Sequence, residues 1–184
     1  PGAGGPARQL AGAGGPGVGY ELVVTPGLPC RPGVCMDDPV KALELLRARP
    51  RFGASIHVKL VPGAQESQIE RLTQLASRVS VNFETPCGAT LAPIAPEKNW
   101  STTRSDFERV RGLVLREREA RSHGRPADPL HPGGVSGMTM QFVVGACPET
   151  DRTMLDTVAG CWAGGGVHQP NFSAVRQIGD TTPE

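Results

Sequence analysis

TMQFVVGACPETDRTML, residues 139–155, contains an apolar run, Met140–Val144, whose length and β-branched content predict a buried strand. Gly145 then permits a tight turn. Pro148 and the acids that follow predict a helix start, because proline is tolerated in a first turn and acids there oppose the helix dipole. A strand, a tight turn and a helix form the repeating unit of parallel α/β proteins, in which ligands bind at the carboxyl ends of the strands. An ordinary strand-to-helix loop is the alternative interpretation.

The same unit recurs on both sides of this stretch. Strands are predicted at 20–25, 55–61, 79–84, 140–144 and 171–175, and helices at about 37–49, 65–78, 102–122 and 149–163. Such regular alternation favours parallel strands joined by right-handed crossovers. We therefore expect an α/β protein, a partial TIM-like (β/α) barrel with sequential strand order that forms an arc.

Polar side chains share one face of consecutive predicted strands, near their carboxyl ends. They are His57 and Lys59 on one strand, Asn82 and Glu84 on the next, and Gln141 on the strand after those. Helices on both faces of a parallel sheet would require apolar residues throughout. The polar positions therefore predict a site inside the mouth of a barrel, and a sheet with one partly solvated face is the alternative.

Composition limits the class of protein. The chain has 184 residues, enough for one domain, and its net charge of +1 gives no strong field for nucleic acid or anionic membrane. Residues 1–19 are almost entirely Gly, Ala and Pro, which predicts a flexible leader before a domain at 20–184. We see no apolar run long enough to cross a membrane and no signal peptide, and we expect a cytoplasmic protein.

The five cysteines are Cys30, Cys35, Cys87, Cys147 and Cys161. An odd count with scattered spacing is not typical of a secreted disulfide framework. Close pairs with zinc-ligand spacing are missing, so the sequence predicts free thiols and no metal site.

Five segments carry a family resemblance: SIHVKLVPGA (55–64), VSVNFETP (79–86), LAPIAPEKNW (91–100), QFVVGACPETD (141–151) and NFSAVRQIGDTTPE (171–184). Together they resemble the radical S-adenosylmethionine (radical SAM) enzymes, in particular the subgroup named for DNA modification and repair. The resemblance implies a partial, six-stranded barrel and a four-iron, four-sulfur cluster on a C-x-x-x-C-x-x-C loop after the first strand. It also implies cleavage of S-adenosylmethionine to methionine and a 5′-deoxyadenosyl radical.

Carried over by position, the resemblance implies a set of S-adenosylmethionine contacts. Val143, Val144 and Gly145 would lie along the adenine, with Glu149 one residue further on than usual. Asn82 and Glu84 would approach the ribose or the methionine group, and Ser173 lies on the family's sixth strand. His57, Lys59 and Gln141 would form an inner rim that faces the substrate.

The chain departs from the family at its cluster motif, because C-x-x-x-C-x-x-C does not occur in it. Cys30 and Cys35 follow the family's second strand and have a different spacing. The resemblance therefore implies that the first strand–helix unit, with its iron–sulfur loop, is missing from this chain. We expect S-adenosylmethionine and nucleic acid as partners of the family's protein, and inactivity of this chain alone.

Two other functions fit parts of the sequence. Lys59 could act as a Schiff-base nucleophile in a non-redox barrel enzyme, helped by His57 and Glu84, with a structural Lys59–Glu84 ion pair as the simpler interpretation. The arginine-rich helix at 102–122 could bind nucleic acid in a non-catalytic module. Interspersed acids favour a solvated helix face instead.

Overall fold

The structure, a computed structural model, describes residues 21–26, 36–50, 52–125 and 128–175. The predicted leader at 1–19 lies outside these residues. The strands are β1 (Glu21–Val24), β2 (Ser55–Leu60), β3 (Arg78–Glu84), β4 (Gly137–Val144) and β5 (Val167–Ala174). The helices are α1 (Asp37–Arg47), α2 (Glu66–Leu75), α3 (Trp100–Ser122) and α4 (Asp151–Ala163), and a short 3₁₀ turn spans Gly88–Thr90.

The five strands form one sheet in the order β1-β2-β3-β4-β5, and every neighbouring pair is parallel. Sequential order with a helix in each described connection is the arrangement that the alternation predicted. The α/β class and the parallel strands are therefore confirmed. β1 and β5 are the edges of the sheet within the described part of the chain.

The hydrophobic core lies on one face of the sheet. Alternate residues of the three central strands, such as Ile56, Val81 and Met140, are buried in one cluster with the apolar stripes of the helices. Leu72 of α2 and Phe107 of α3 belong to the same cluster. Since side chains alternate across a strand, the remaining positions of β2, β3 and β4 point to the other face.

Most boundaries differ from the predicted ones by one to four residues, and two of them show a clear local cause. α2 ends at Leu75, because Ala76 takes an extended conformation. The amide of Ser77 then donates to Ile56 O at 2.8 Å, and β3 begins at the next residue, Arg78. β5 begins at Val167 rather than Asn171, since positive φ angles at two preceding glycines turn the chain directly from α4 into the sheet.

The buried side chain of Arg47 connects three strand–helix units. Arg47 at the end of α1 donates to Leu75 O at 3.0 Å, Ala54 O at 3.1 Å and Ser77 Oγ at 3.2 Å. Burial lowers the pKa of this guanidinium.

None of the described helices is long and apolar enough to cross a membrane.

Candidate functional site

The face of the sheet opposite the core is lined by polar side chains, which we call the polar face. It consists of His57 and Lys59 on β2, Arg78, Ser80 and Asn82 on β3, and Thr139 and Gln141 on β4. The strand register sets these residues side by side: His57 lies opposite Arg78, Ser80 lies between Lys59 and Thr139, and Asn82 lies opposite Gln141.

Several polar atoms of this face are buried without a hydrogen-bond partner among the described residues. They are His57 Nε2, Arg78 Nε, Ser80 Oγ, Asn82 Oδ1 and Thr139 Oγ1. Ser80 is only 2% exposed and Thr139 is fully buried. A buried polar group without a hydrogen-bond partner destabilises the folded state by about 1–3 kcal/mol. This cluster therefore favours the binding of water or a polar ligand against the polar face.

Charge accumulates along the same face. Burial lowers the pKa of His57, the neighbouring cations Arg78 and Lys59 lower it further, and Glu21 partly opposes them. Glu21 Oε1 lies 3.7 Å from Arg78 Nη1. His57 is therefore a neutral hydrogen-bonding group at ordinary pH rather than a third cation.

Lys59 and Glu84 do not form the ion pair that the simpler interpretation predicted. Lys59 Nζ donates to Gln141 Oε1 at 3.4 Å. Glu84 instead pairs with Lys98, whose amine also donates to Asn82 O at 3.4 Å. The Schiff-base hypothesis loses its carboxylate helper, because Glu84 already has a cationic partner.

Glu84 also leaves the alternation that placed it beside Asn82. The register between β3 and β4 shifts after Asn82, so Glu84 lies opposite Phe142 rather than Val143. Glu84 has φ of 66°, a left-handed conformation that is unfavourable for a residue with a side chain. Strand alternation does not continue through a bulge, so parity does not set the face on which the Glu84 side chain lies.

The end of β4 does not present one continuous apolar wall. Val143 has the parity of the polar face and lies opposite Ser173, whereas Val144 packs against the core. Gly145 follows with φ of 82°, so its backbone needs glycine. Of the three positions expected near the adenine, Val143 and Gly145 remain available on the open side, and Val144 is used by the core.

Beyond β4, Glu149 lies among side chains from two loops. Its Oε1 accepts from the Cys87 thiol at 3.7 Å, and its Oε2 is buried without a partner among the described residues. Cys147 contacts Glu149 and Thr90, and its pKa is raised by burial first and by Glu149 next. Thr150 then caps α4 by accepting from Thr153 N at 3.2 Å.

The described cysteines do not fit an iron–sulfur cluster. Cys87 and Cys147 lie above the sheet, and Cys161 is buried on α4. Within the described ranges we find no group of three or more His, Cys, Asp or Glu side chains able to hold a metal. Such a cluster needs at least three suitably placed thiolates. Cys30 and Cys35 lie outside the described residues.

The arginines of α3 mostly serve the fold. Arg118 and Arg121 donate to backbone carbonyls of the loop before β4. Arg109 pairs with Glu66 at 3.2 Å, and Arg111 pairs with Glu108 on the same helix. These contacts leave little of a continuous cationic stripe for nucleic acid.

Four residues of the candidate site were not among the predicted site residues: Arg78, Ser80, Thr139 and Lys98. Ser80 and Thr139 have the parity of the polar face, a signal that was present in the alternation. Arg78 was assigned to the end of a helix. Lys98 lies in a loop, where no periodicity indicates its contact with Glu84.

Comparison with known proteins identifies solved structures that share this fold. We found no matching family model and no matching curated protein. The chain is similar to the X-ray structure of the FeFe-hydrogenase maturase HydG from Carboxydothermus hydrogenoformans, with 14% identity and a TM-score of 0.58 over 92% of this chain and 35% of that one. A second HydG structure gives 12% identity and a TM-score of 0.57 over 86% of this chain and 32% of that one. The chain thus spans about a third of these proteins, and the likeness establishes the fold.

Proposed function

We propose that this chain is part of a radical SAM core and contributes the later strands of an S-adenosylmethionine site. The observation that carries the proposal is a sheet of sequentially ordered parallel strands with helices on one face. On the other face, polar atoms have no hydrogen-bond partner within the described part of the chain. The five sequence motifs point to the same superfamily. The fold shared with the FeFe-hydrogenase maturase HydG supports it further.

The chemistry of the open positions suits S-adenosylmethionine. Val143 and Gly145 would pack along the adenine, where Gly145 offers its backbone without a Cβ. Asn82 Oδ1 and Glu149 Oε2 are buried acceptors to which no described residue donates. The ribose hydroxyls and the amino group of S-adenosylmethionine are hydrogen-bond donors. Ser173, opposite Val143, would lie at the edge of this surface.

When bound in a complete radical SAM core, a [4Fe-4S] cluster supplies the electron that cleaves the sulfonium. The described residues do not fit that cluster, and we assign them no step of the redox chemistry. Their role is to bind and orient S-adenosylmethionine, with His57, Lys59 and Gln141 facing the space beside it. We expect this chain alone to form no 5′-deoxyadenosine.

A nucleic-acid substrate is the finer part of the proposal and rests on the motifs alone. Most arginines of α3 have partners within the protein, so that helix does not support it. If a nucleic acid binds, we expect it at the polar face, where Lys59 and Arg78 supply positive charge.

Nuclear magnetic resonance of the isotope-labelled chain tests the binding site directly. We expect S-adenosylmethionine, titrated into the millimolar range that weak binding requires, to shift the amide signals of Asn82, Val143 and Gly145. Val143→Trp should abolish these shifts by filling the surface. The matched control, Leu155→Gln on the exposed side of α4, should preserve them. Shifts confined to other surfaces, or none, would contradict the proposal.

A further inference from the structure

Two thiols lie in neighbouring loops above the carboxyl ends of the central strands. Cys87 follows β3 and Cys147 follows β4, and these strands are parallel neighbours. Loops that follow neighbouring parallel strands leave the same edge of the sheet. Both cysteines are half-buried free thiols.

The two thiols have Glu149 as a common neighbour. Cys87 Sγ lies 3.4 Å from Thr90 Oγ1 and 3.7 Å from Glu149 Oε1. Cys147 lies two residues before Glu149 in the same loop, and the Glu149 side chain raises the pKa of its thiol, second to burial. Glu149 therefore lies beside both thiols and links the loop that follows β3 to the loop that follows β4.

We propose that Cys87 and Cys147 form an oxidisable dithiol that closes to a disulfide between the β3–α3 and β4–α4 loops. This goes beyond the proposed function and does not depend on it. The bond would join the two loops directly beside Glu149. A low-molecular-weight disulfide such as oxidised glutathione serves as the oxidant.

The reaction balances in two exchange steps. Cys87 loses its proton to Glu149, attacks one sulfur of oxidised glutathione and releases one reduced glutathione, which leaves a mixed disulfide. Glu149 passes this proton to the glutathione thiolate that leaves. Cys147 then loses its own proton to Glu149, attacks Cys87 Sγ and releases the second glutathione thiolate, which takes up that proton. Two S–H bonds of the protein are replaced by one S–S bond, and the glutathione disulfide becomes two thiols.

Cys161 provides an internal comparison. It lies on α4, it is only 7% exposed, and burial raises the pKa of its thiol. It lacks a second described thiol beside it. The geometry therefore predicts selective pairing of Cys87 with Cys147.

Thiol mapping on the folded chain tests the proposal. The protein is equilibrated with mixtures of reduced and oxidised glutathione, free thiols are blocked, and digested peptides are identified by mass spectrometry. A Cys30→Ser/Cys35→Ser background removes the cysteines outside the described residues. Because the fold holds the two thiols at a high effective concentration, the Cys87–Cys147 peptide should exceed any Cys161-linked peptide by about tenfold or more.

The controls separate native geometry from random pairing. Cys161→Ser should leave the yield of the Cys87–Cys147 peptide unchanged, and Cys147→Ser should leave Cys87 as a stable mixed disulfide with glutathione. In concentrated urea the tenfold preference should disappear. Absence of the linked peptide from the native chain, or equal amounts of pairs with Cys161, would overturn the proposal whether or not S-adenosylmethionine binds.

Discussion

The half-buried ion pair between Glu84 and Lys98 should couple in a double-mutant cycle. The two side chains are 14% and 16% exposed, and Lys98 also donates to the Asn82 carbonyl. Removing one partner of a buried pair leaves an uncompensated charge and costs about 3–5 kcal/mol. Residual exposure lowers this, so we expect Lys98→Met and Glu84→Gln each to cost about 2–3 kcal/mol.

The double variant should be less destabilised than the sum of the two single variants. With both charges removed no buried charge remains, so the coupling free energy should be about 2 kcal/mol. The backbone contributes a separate effect. Since Glu84 has φ of 66°, Glu84→Gly should be more stable than Glu84→Ala by about 1 kcal/mol through relief of strain.

Urea unfolding followed by tryptophan fluorescence measures these differences. Trp100 is a local reporter, because its ring lies 5.3 Å from that of Phe83, the neighbour of Glu84. Equal m values across the four proteins would validate comparison of the free energies of unfolding. A cycle that is additive within about 0.5 kcal/mol would refute the pair as a coupled element, and a Glu84→Ala variant as stable as Glu84→Gly would refute the strain.

Three further predictions concern groups that hold the sheet and its helices together. Asp106 accepts a hydrogen bond from Gly63 N at 2.7 Å, and burial raises the pKa of its carboxyl group. Its contribution to stability is therefore largest below the pKa of the unfolded chain and is lost as pH rises through the raised folded pKa. Asp106→Asn should abolish this pH dependence, whereas Asp106→Ala should cost about 1–3 kcal/mol in urea unfolding. Burial lowers the pKa of His131, whose Nδ1 lies 3.1 Å from Gln74 O. The stability that is present above its unfolded pKa of 6.5 should decrease as the pH is lowered, by at most about 1.4 kcal/mol per pH unit. His131→Asn should flatten the dependence of thermal unfolding on pH between neutral and mildly acidic pH, and an unchanged slope, or the same change in the exposed control His123→Asn, would count against it. Arg47→Met should cost about 2–4 kcal/mol, because the carbonyls of Leu75 and Ala54 lose their donor, and the exposed control Arg49→Met should cost less than about 0.5 kcal/mol in chemical denaturation.

The polar face shows how far alternation predicts a site. His57, Lys59, Asn82 and Gln141 were predicted to share a face from strand parity, and their positions in the register follow it. The same parity holds for Ser80 and Thr139, whose complete burial it does not reveal. Period-two patterning is a local property of an extended chain, so it is readable wherever a strand continues without interruption.

Strand alternation did not predict the environment of Glu84. A bulge shifted its register, and its partner Lys98 comes from a loop that has no periodic pattern. Val143 and Val144 were grouped as one wall, although consecutive strand residues lie on opposite faces and Val144 joins the core. Backbone irregularities and loop contacts depend on how the whole structure packs.

The sequence by itself determined the order of strands and helices, their parallel arrangement and the polar side of the sheet. These properties follow from hydrophobic periodicity and from the handedness of short crossovers, which act over neighbouring segments. Only the tertiary structure decided that Cys87 would meet Glu149, 62 residues along the chain, and that Arg47 would join three units. Such contacts arise when separate strand–helix units stack side by side, because the register between neighbouring strands, and not the local pattern, sets which loop residues meet.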